Sequence, residues 1–202
     1  GLTKYVANIS RVVATLYFAV IIGFIFYGNR FISIYAGEGY EEAYPIVLIV
    51  IISASFSRIH GVGSDVLKAK NNHGMYTLIV FFSAIINVVL TIIFIKRYGL
   101  IGAAIATAIS VILGNTVAYY WCLSKKGFLN IKELFKTTFK GFPLVCILMI
   151  IFNIFIINLG DNSLVSYFSK CLSFAIFYIA LVYLIILDEN GKNQIKKKFK
   201  RR

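Results

Sequence analysis

The chain has 202 residues, of which 59% are hydrophobic and 14% charged, and its 21 Lys and Arg face 8 Asp and Glu for a formal charge of +13. Soluble domains carry about 25% charged residues, so a water-surrounded catalytic core is excluded. The basic excess sits almost wholly in short segments between apolar runs, which marks it as a topology signal and a contact with anionic lipid headgroups rather than a nucleic-acid surface.

Apolar runs of about 17 to 24 residues are long enough to cross a hydrocarbon core of about 30 Å. In chain order the expected spans are 12–28, 44–66, 76–95, 100–123, 142–159 and 165–187, with Lys170 near enough to the start of the last to snorkel to the interface. The strict alternation of a membrane barrel is absent, so the spans are helices. The expected fold class is all-α integral membrane, with six transmembrane helices in one lobe over residues 1–191 and a basic tail over residues 192–202.

The basic residues fall unequally on the two sides. Lys4 and Arg11, Lys68 and Lys70, Lys125, Lys126, Lys132, Lys136 and Lys140, and seven residues of the tail make sixteen on one side; Arg30, Lys96, Arg97 and Lys170 make four on the other. The positive-inside bias therefore predicts that both termini are cytoplasmic, with Lys96 and Arg97 as the dissenting pair. The Glu38, Glu41 and Glu42 loop falls outside. The tail reads equally as a contact with anionic lipid, at about 1 kcal/mol per charge near the surface, or as a solvated topology anchor. Residues 128–139 read equally as an amphipathic helix on the cytoplasmic leaflet or as a solvated connection.

Cys122, Cys146 and Cys171 lie in or beside apolar segments without metal spacing, and their odd number argues against a disulfide framework. The spans hold no paired carboxylates, adjacent Glu41 and Glu42 point in different directions, and no phosphate loop or nucleophile constellation is present, so neither an enzyme nor a cofactor or metal site is expected. The chain begins at Gly1 without a leader pattern and reads as a piece of something longer.

Arg58 is the most informative residue within the spans, because a mid-helix arginine costs about 2.5 to 3.5 kcal/mol on insertion scales and is kept from lipid. It faces protein or water, or it snorkels toward the cytoplasmic side. Asp65, seven residues on, returns to within about 20° of the same helix face. His60 lies near the opposite side and reads as an interface histidine. Gly61 and Gly63 weaken the helix between them. Gly102, Ala106, Ser110 and Gly114 recur every four residues and form a small-residue ridge for close helix packing. Asn87 and Asn115 are mid-span amides that bond a neighbouring helix.

The segment Tyr98-Gly99-Leu100-Ile101-Gly102-Ala103-Ala104-Ile105-Ala106-Thr107, preceded by Asn87, resembles the polysaccharide-exporter branch of the multidrug/oligosaccharidyl-lipid/polysaccharide exporter superfamily. Gly37-Glu38-Gly39-Tyr40-Glu41-Glu42-Ala43 and Val66-Leu67-Lys68-Ala69-Lys70-Asn71 agree with it. The resemblance implies twelve to fourteen helices in two lobes around a cavity, and transfer of lipid-linked oligosaccharide across the bacterial cytoplasmic membrane by alternating access, for polysaccharide biosynthesis. This chain would be the C-terminal lobe, and its partner the missing N-terminal lobe of the same protein. Such a substrate carries a polyprenyl pyrophosphate, which makes Arg58 the candidate cavity cation and Lys68 and Lys70 candidate phosphate contacts at the cytoplasmic mouth. The family has no motif at those positions, so the assignment comes from the residues themselves. Asp65 is the candidate for a coupling proton or sodium ion, against a structural role. Two other readings stand beside this one: a drug/cation antiporter of the same superfamily, for which the spans lack a mid-membrane acid, and a non-transporting assembly subunit.

Overall fold

The computed structural model describes residues 1–37, 39–157 and 163–187; Glu38, the expected end of the fifth span beyond residue 157, and the expected basic tail lie outside them. Every element among the described residues is helical, the solution that satisfies backbone polar groups within one segment where no water can. Five helical stretches are long and apolar enough to cross a membrane: Leu2–Ala36, Ala43–Ala69, His73–Lys125, Ile131–Ile156 and Leu164–Ile186. The chain forms two compact units, Gly1–Thr138 and Phe139–Arg202.

In the first unit, α1 (Leu2–Ala36) is much longer than the expected span 12–28. Its 35 residues extend about 52 Å at 1.5 Å each, well beyond the hydrocarbon core. The extra N-terminal turns are held by packing, since Val6 and Ala7 are buried in one cluster with Leu67, Leu123 and Leu134. α2 (Ala43–His60) runs back along α1, where the Tyr44 hydroxyl donates to the Ile25 carbonyl at 2.9 Å and the Tyr44 ring stacks on Phe24. The expected span 44–66 is interrupted at Gly61, after which α3 (Val62–Ala69) continues.

The third stretch doubles back on itself. In α4 (His73–Ile112), Gly99 has φ 59° and ψ −141°, a conformation that costs a side-chain-bearing residue dearly and glycine little. The expected spans 76–95 and 100–123 are therefore two arms of a helical hairpin. Its register holds over many turns: Asn87 Nδ2 donates to Ser110 Oγ at 2.8 Å and to Thr107 Oγ1 at 3.4 Å, Ser83 Oγ donates to the Ser110 carbonyl at 2.9 Å, and the Tyr76 and Tyr119 rings stack at 5.7 Å. The arms meet through small residues. A Cβ added at Gly102 would fall on the Phe94 carbonyl, and one at Gly114 on the Ser83 side chain; Ala106 and Ser110 between them are buried.

Beyond Ile112 the second arm passes through a π-helical turn, Leu113–Ala118, into α5 (Tyr119–Lys125). The four-residue spacing of the ridge would bring Ala118 to the contact after Gly114, but the π turn adds one residue, and it is Tyr119 that stacks on Tyr76. α6 (Ile131–Thr138) then closes the unit. Its apolar side meets protein: Leu134 is fully buried in the cluster with Val6 and Leu67, Phe135 packs beside it, and Thr138 Oγ1 donates to the Ala7 carbonyl at 3.5 Å, while Lys132 and Lys136 are exposed. Lys126 Nζ donates to Asn72 Oδ1 and links the connections at this end of the unit.

The second unit contains α7 (Phe142–Ile157) and α8 (Leu164–Leu181), with a π-helical turn at Val182–Ile186. Ser163 caps α8 by accepting from the Ser166 backbone N–H at 3.2 Å. Phe152 and Phe177 stack at 4.0 Å between the two helices. Cys122, Cys146 and Cys171 are free.

Gly102→Leu and Gly114→Leu should each force the hairpin arms apart and sharply lower the folded yield in detergent. Asn87→Ala removes only interhelical hydrogen bonds, worth about 0.6 kcal/mol and at most about 1.7 kcal/mol in a membrane protein. It should fold with a small drop in unfolding midpoint, measured by denaturation in mixed micelles.

Candidate functional site

The first unit contains a cavity of about 430 Å³ between α2–α3 and the hairpin. From α2 and α3 it is lined by Ala54, Ser57, Arg58, Gly61 and Ser64, and from the hairpin by Tyr76, Val80, Val111 and Tyr119. The first five are spaced by three, one, three and three residues, so they form a single face that continues across the break at Gly61. The small residues on this face leave room, and the Tyr76–Tyr119 stack and two valines form the opposite wall.

Arg58 is the one charged residue among the described residues of the lining. Its side chain is exposed and has no hydrogen-bond or ion-pair partner among the described residues. A carboxylate in the wall would neutralise it and attract a cation, and none is there among the described residues. A guanidinium with its five donors unspent in such a space suits a phosphate or carboxylate.

The other sequence-derived site residues lie at the end of α3. Lys68 Nζ is 3.5 Å from Asp65 Oδ1 and 4.2 Å from the centroid of the Tyr76 ring, whose side chain lines the cavity. Lys70 Nζ lies 5.7 Å from the centroid of the Phe128 ring. Lys68 is thereby placed next to the cavity wall, whereas Lys70 is directed to the 125–131 connection. Asp65 lies outside the lining and pairs with Lys68; an exposed pair of this kind contributes about 0 to 1 kcal/mol. The Arg58–Asp65 stripe read from the sequence is thus divided between a cavity and a surface pair.

His60 is buried away from the cavity. Its Nδ1 shares a hydrogen bond with the Tyr120 hydroxyl, and its ring packs against Phe56, Tyr120 and Phe135, which ties the end of α2 to α5 and α6. Sequence reasoning gave no role to Ser57, Ser64, Tyr76 or Tyr119. The two serines carry a signal in their helical spacing from Arg58; Tyr119 carries none, because its direction depends on the π turn. Among the described residues no three His, Cys, Asp or Glu side chains come together to hold a metal ion.

With the native cysteines replaced, Ser57→Cys should react with water-soluble methanethiosulfonates, and faster with an anionic reagent than with a cationic one because Arg58 is beside it. Ser55→Cys, at a fully buried position on the same helix, should be unreactive under the same conditions. Measured rates by mass shift check both.

No family model matches the chain. It is 28% identical over 178 residues to the probable low-salt glycan biosynthesis flippase Agl15 of Haloferax volcanii, covering 86% of this chain and 37% of that protein. It is 27% identical over 161 residues to an uncharacterized membrane protein of Methanocaldococcus jannaschii, covering 78% of this chain and 30% of the relative. Among solved structures it is similar to the lipid II flippase MurJ in an inward closed conformation, with a TM-score of 0.69 and 19% identity, covering 91% of this chain and 39% of that one. The chain spans 30% to 39% of the length of the relatives it matches. The multi-pass helical fold is that of a MurJ-like membrane protein.

Proposed function

We propose that this chain is one lobe of a flippase that moves a lipid-linked oligosaccharide across the cytoplasmic membrane by alternating access, its second lobe completing the pathway. The observation that carries this reading is the Arg58 cavity, whose described lining holds a cation, hydroxyl groups and no carboxylate. A polyprenyl pyrophosphate sugar needs its phosphate charge met inside the membrane, and a guanidinium in a wet cavity meets it. Lys68, next to the cavity wall, and Lys70, farther along the same end, gather the headgroup at the cytoplasmic mouth. Asp65 is held by Lys68 outside the lining, which favours a structural role over ion coupling. The absence of an acid from the lining argues against a site for organic cations.

In this reading the lobe is the C-terminal one and both termini are cytoplasmic. The distribution of Lys and Arg supports the orientation, and six expected spans with both ends inside support the second lobe. Labelling of single cysteines placed in the tail and in the loop containing Glu41 and Glu42 should give opposite sidedness; labelling of both from one side contradicts the topology.

Arg58→Ala in the full-length protein should reach the membrane at least as well as the wild type, since a cation that is costly to insert within a span has been removed, and should lose export of the lipid-linked sugar. Arg58→Lys keeps the charge without the bidentate fork and should retain part of the activity. Complementation beside a membrane expression blot measures both. Wild-type export by Arg58→Ala would assign the arginine to snorkelling.

A further inference from the structure

Ser57 stands beside Arg58 in the cavity wall, and its hydroxyl makes no hydrogen bond with any described residue. Serines in membrane helices ordinarily spend the hydroxyl on a carbonyl one turn back. The other serines of α2 and α3 do so: Ser53 Oγ donates to Val50 at 3.0 Å, Ser55 Oγ to Ile51 at 2.6 Å, and Ser64 Oγ to Gly61 at 2.7 Å. Ser57 is the exception, and it is the serine that adjoins the unpartnered guanidinium.

Two neighbouring donors with no acceptor among the described residues, in a lining without a described carboxylate, suit a ligand that supplies acceptors and negative charge. Adjacent helix residues diverge by about 100°, so the two donors reach the cavity from different directions. A planar carboxylate keeps both of its oxygens in the plane of the guanidinium fork; a tetrahedral phosphate offers a further oxygen out of that plane. The volume of about 430 Å³ lies within the range of about 300 to 1,000 Å³ of small-molecule sites, enough for a diphosphate headgroup.

We propose that Ser57 is a binding residue which, with Arg58, forms a two-donor clamp on a phosphate group, an inference that rests on the phosphate role of Arg58 given above. The phosphate chemistry is the same whether it belongs to a lipid headgroup or arrives from water. Hydroxyl and guanidinium divide the work: Arg58 supplies the charge, and Ser57 orients the group by binding an oxygen the fork does not reach.

The test is equilibrium binding to the purified full-length protein in nanodiscs of neutral lipid, with a polyprenyl diphosphate in the disc in one arm and inorganic diphosphate in solution in the other. Ser57→Ala should weaken binding about tenfold, the effect of one lost hydrogen bond to a charged group. Ser57→Thr, which keeps the hydroxyl, should stay within about twofold of wild type, with the helical circular dichroism of both variants unchanged. Tighter binding in the lipid arm assigns the phosphate to a headgroup, and equal binding assigns it to solution; both sustain the clamp. Wild-type affinity in Ser57→Ala while Arg58→Gln fails to bind overturns the clamp and leaves the role of Arg58 standing. Equal loss in Ser57→Ala and Ser57→Thr makes Ser57 a packing residue and also overturns it. No diphosphate binding by the wild type overturns both the clamp and the proposed function.

Discussion

The close contact between the two arms of α4 is the interaction on which the rest of the first unit depends. In hydrocarbon the arms gain nothing from apolar burial, because lipid tails are as apolar as leucine, so they hold together by backbone approach and interhelical hydrogen bonds. Gly102 and Gly114 permit the approach, and Asn87 with Ser83 supplies the bonds to Thr107 and Ser110. Once that register is set, Tyr76 must meet Tyr119, and Val80 and Val111 enter the same wall. The cavity is a consequence: the hairpin provides a bulky aromatic wall, α2 and α3 face it with Ala54, Ser57, Gly61 and Ser64, and large and small side chains leave a space between them.

Much of this architecture is legible in the sequence, for reasons that differ by element. The hairpin is visible because Lys96 and Arg97 interrupt two apolar runs and Gly99 supplies the conformation the turn needs. The true length of α1 is hidden, since Lys4, Asn8 and Arg11 resemble a polar flank although Val6 and Ala7 pack into the core. α6 shows the same ambiguity: an amphipathic pattern states that one side is apolar but not whether lipid or protein covers it, and here Leu134 goes to protein.

The site was legible to a lesser degree. Arg58 stands out because arginine is costly in a span, but its surroundings depend on three helices at once. Lys68 and Asp65 read as a mouth cation and a coupling acid; in space they form one exposed pair. Whether a serine spends its hydroxyl on its own helix is a property of the folded backbone, so Ser57 could not be told from Ser53 or Ser55 in the sequence. Tyr119 owes its direction to a π turn with no marker among its residues.

The proposed reading rests on a cavity whose described lining holds an arginine and no acid, a lining that suits anions and that would separate a lipid-linked sugar flippase from a drug/cation antiporter. The most direct measurement is transport by the full-length protein reconstituted in liposomes, comparing translocation of a fluorescent lipid-linked oligosaccharide with uptake of an organic cation such as tetraphenylphosphonium. The account predicts that the lipid-linked sugar crosses and the cation does not. Uptake of the cation with no movement of the lipid-linked sugar would contradict it.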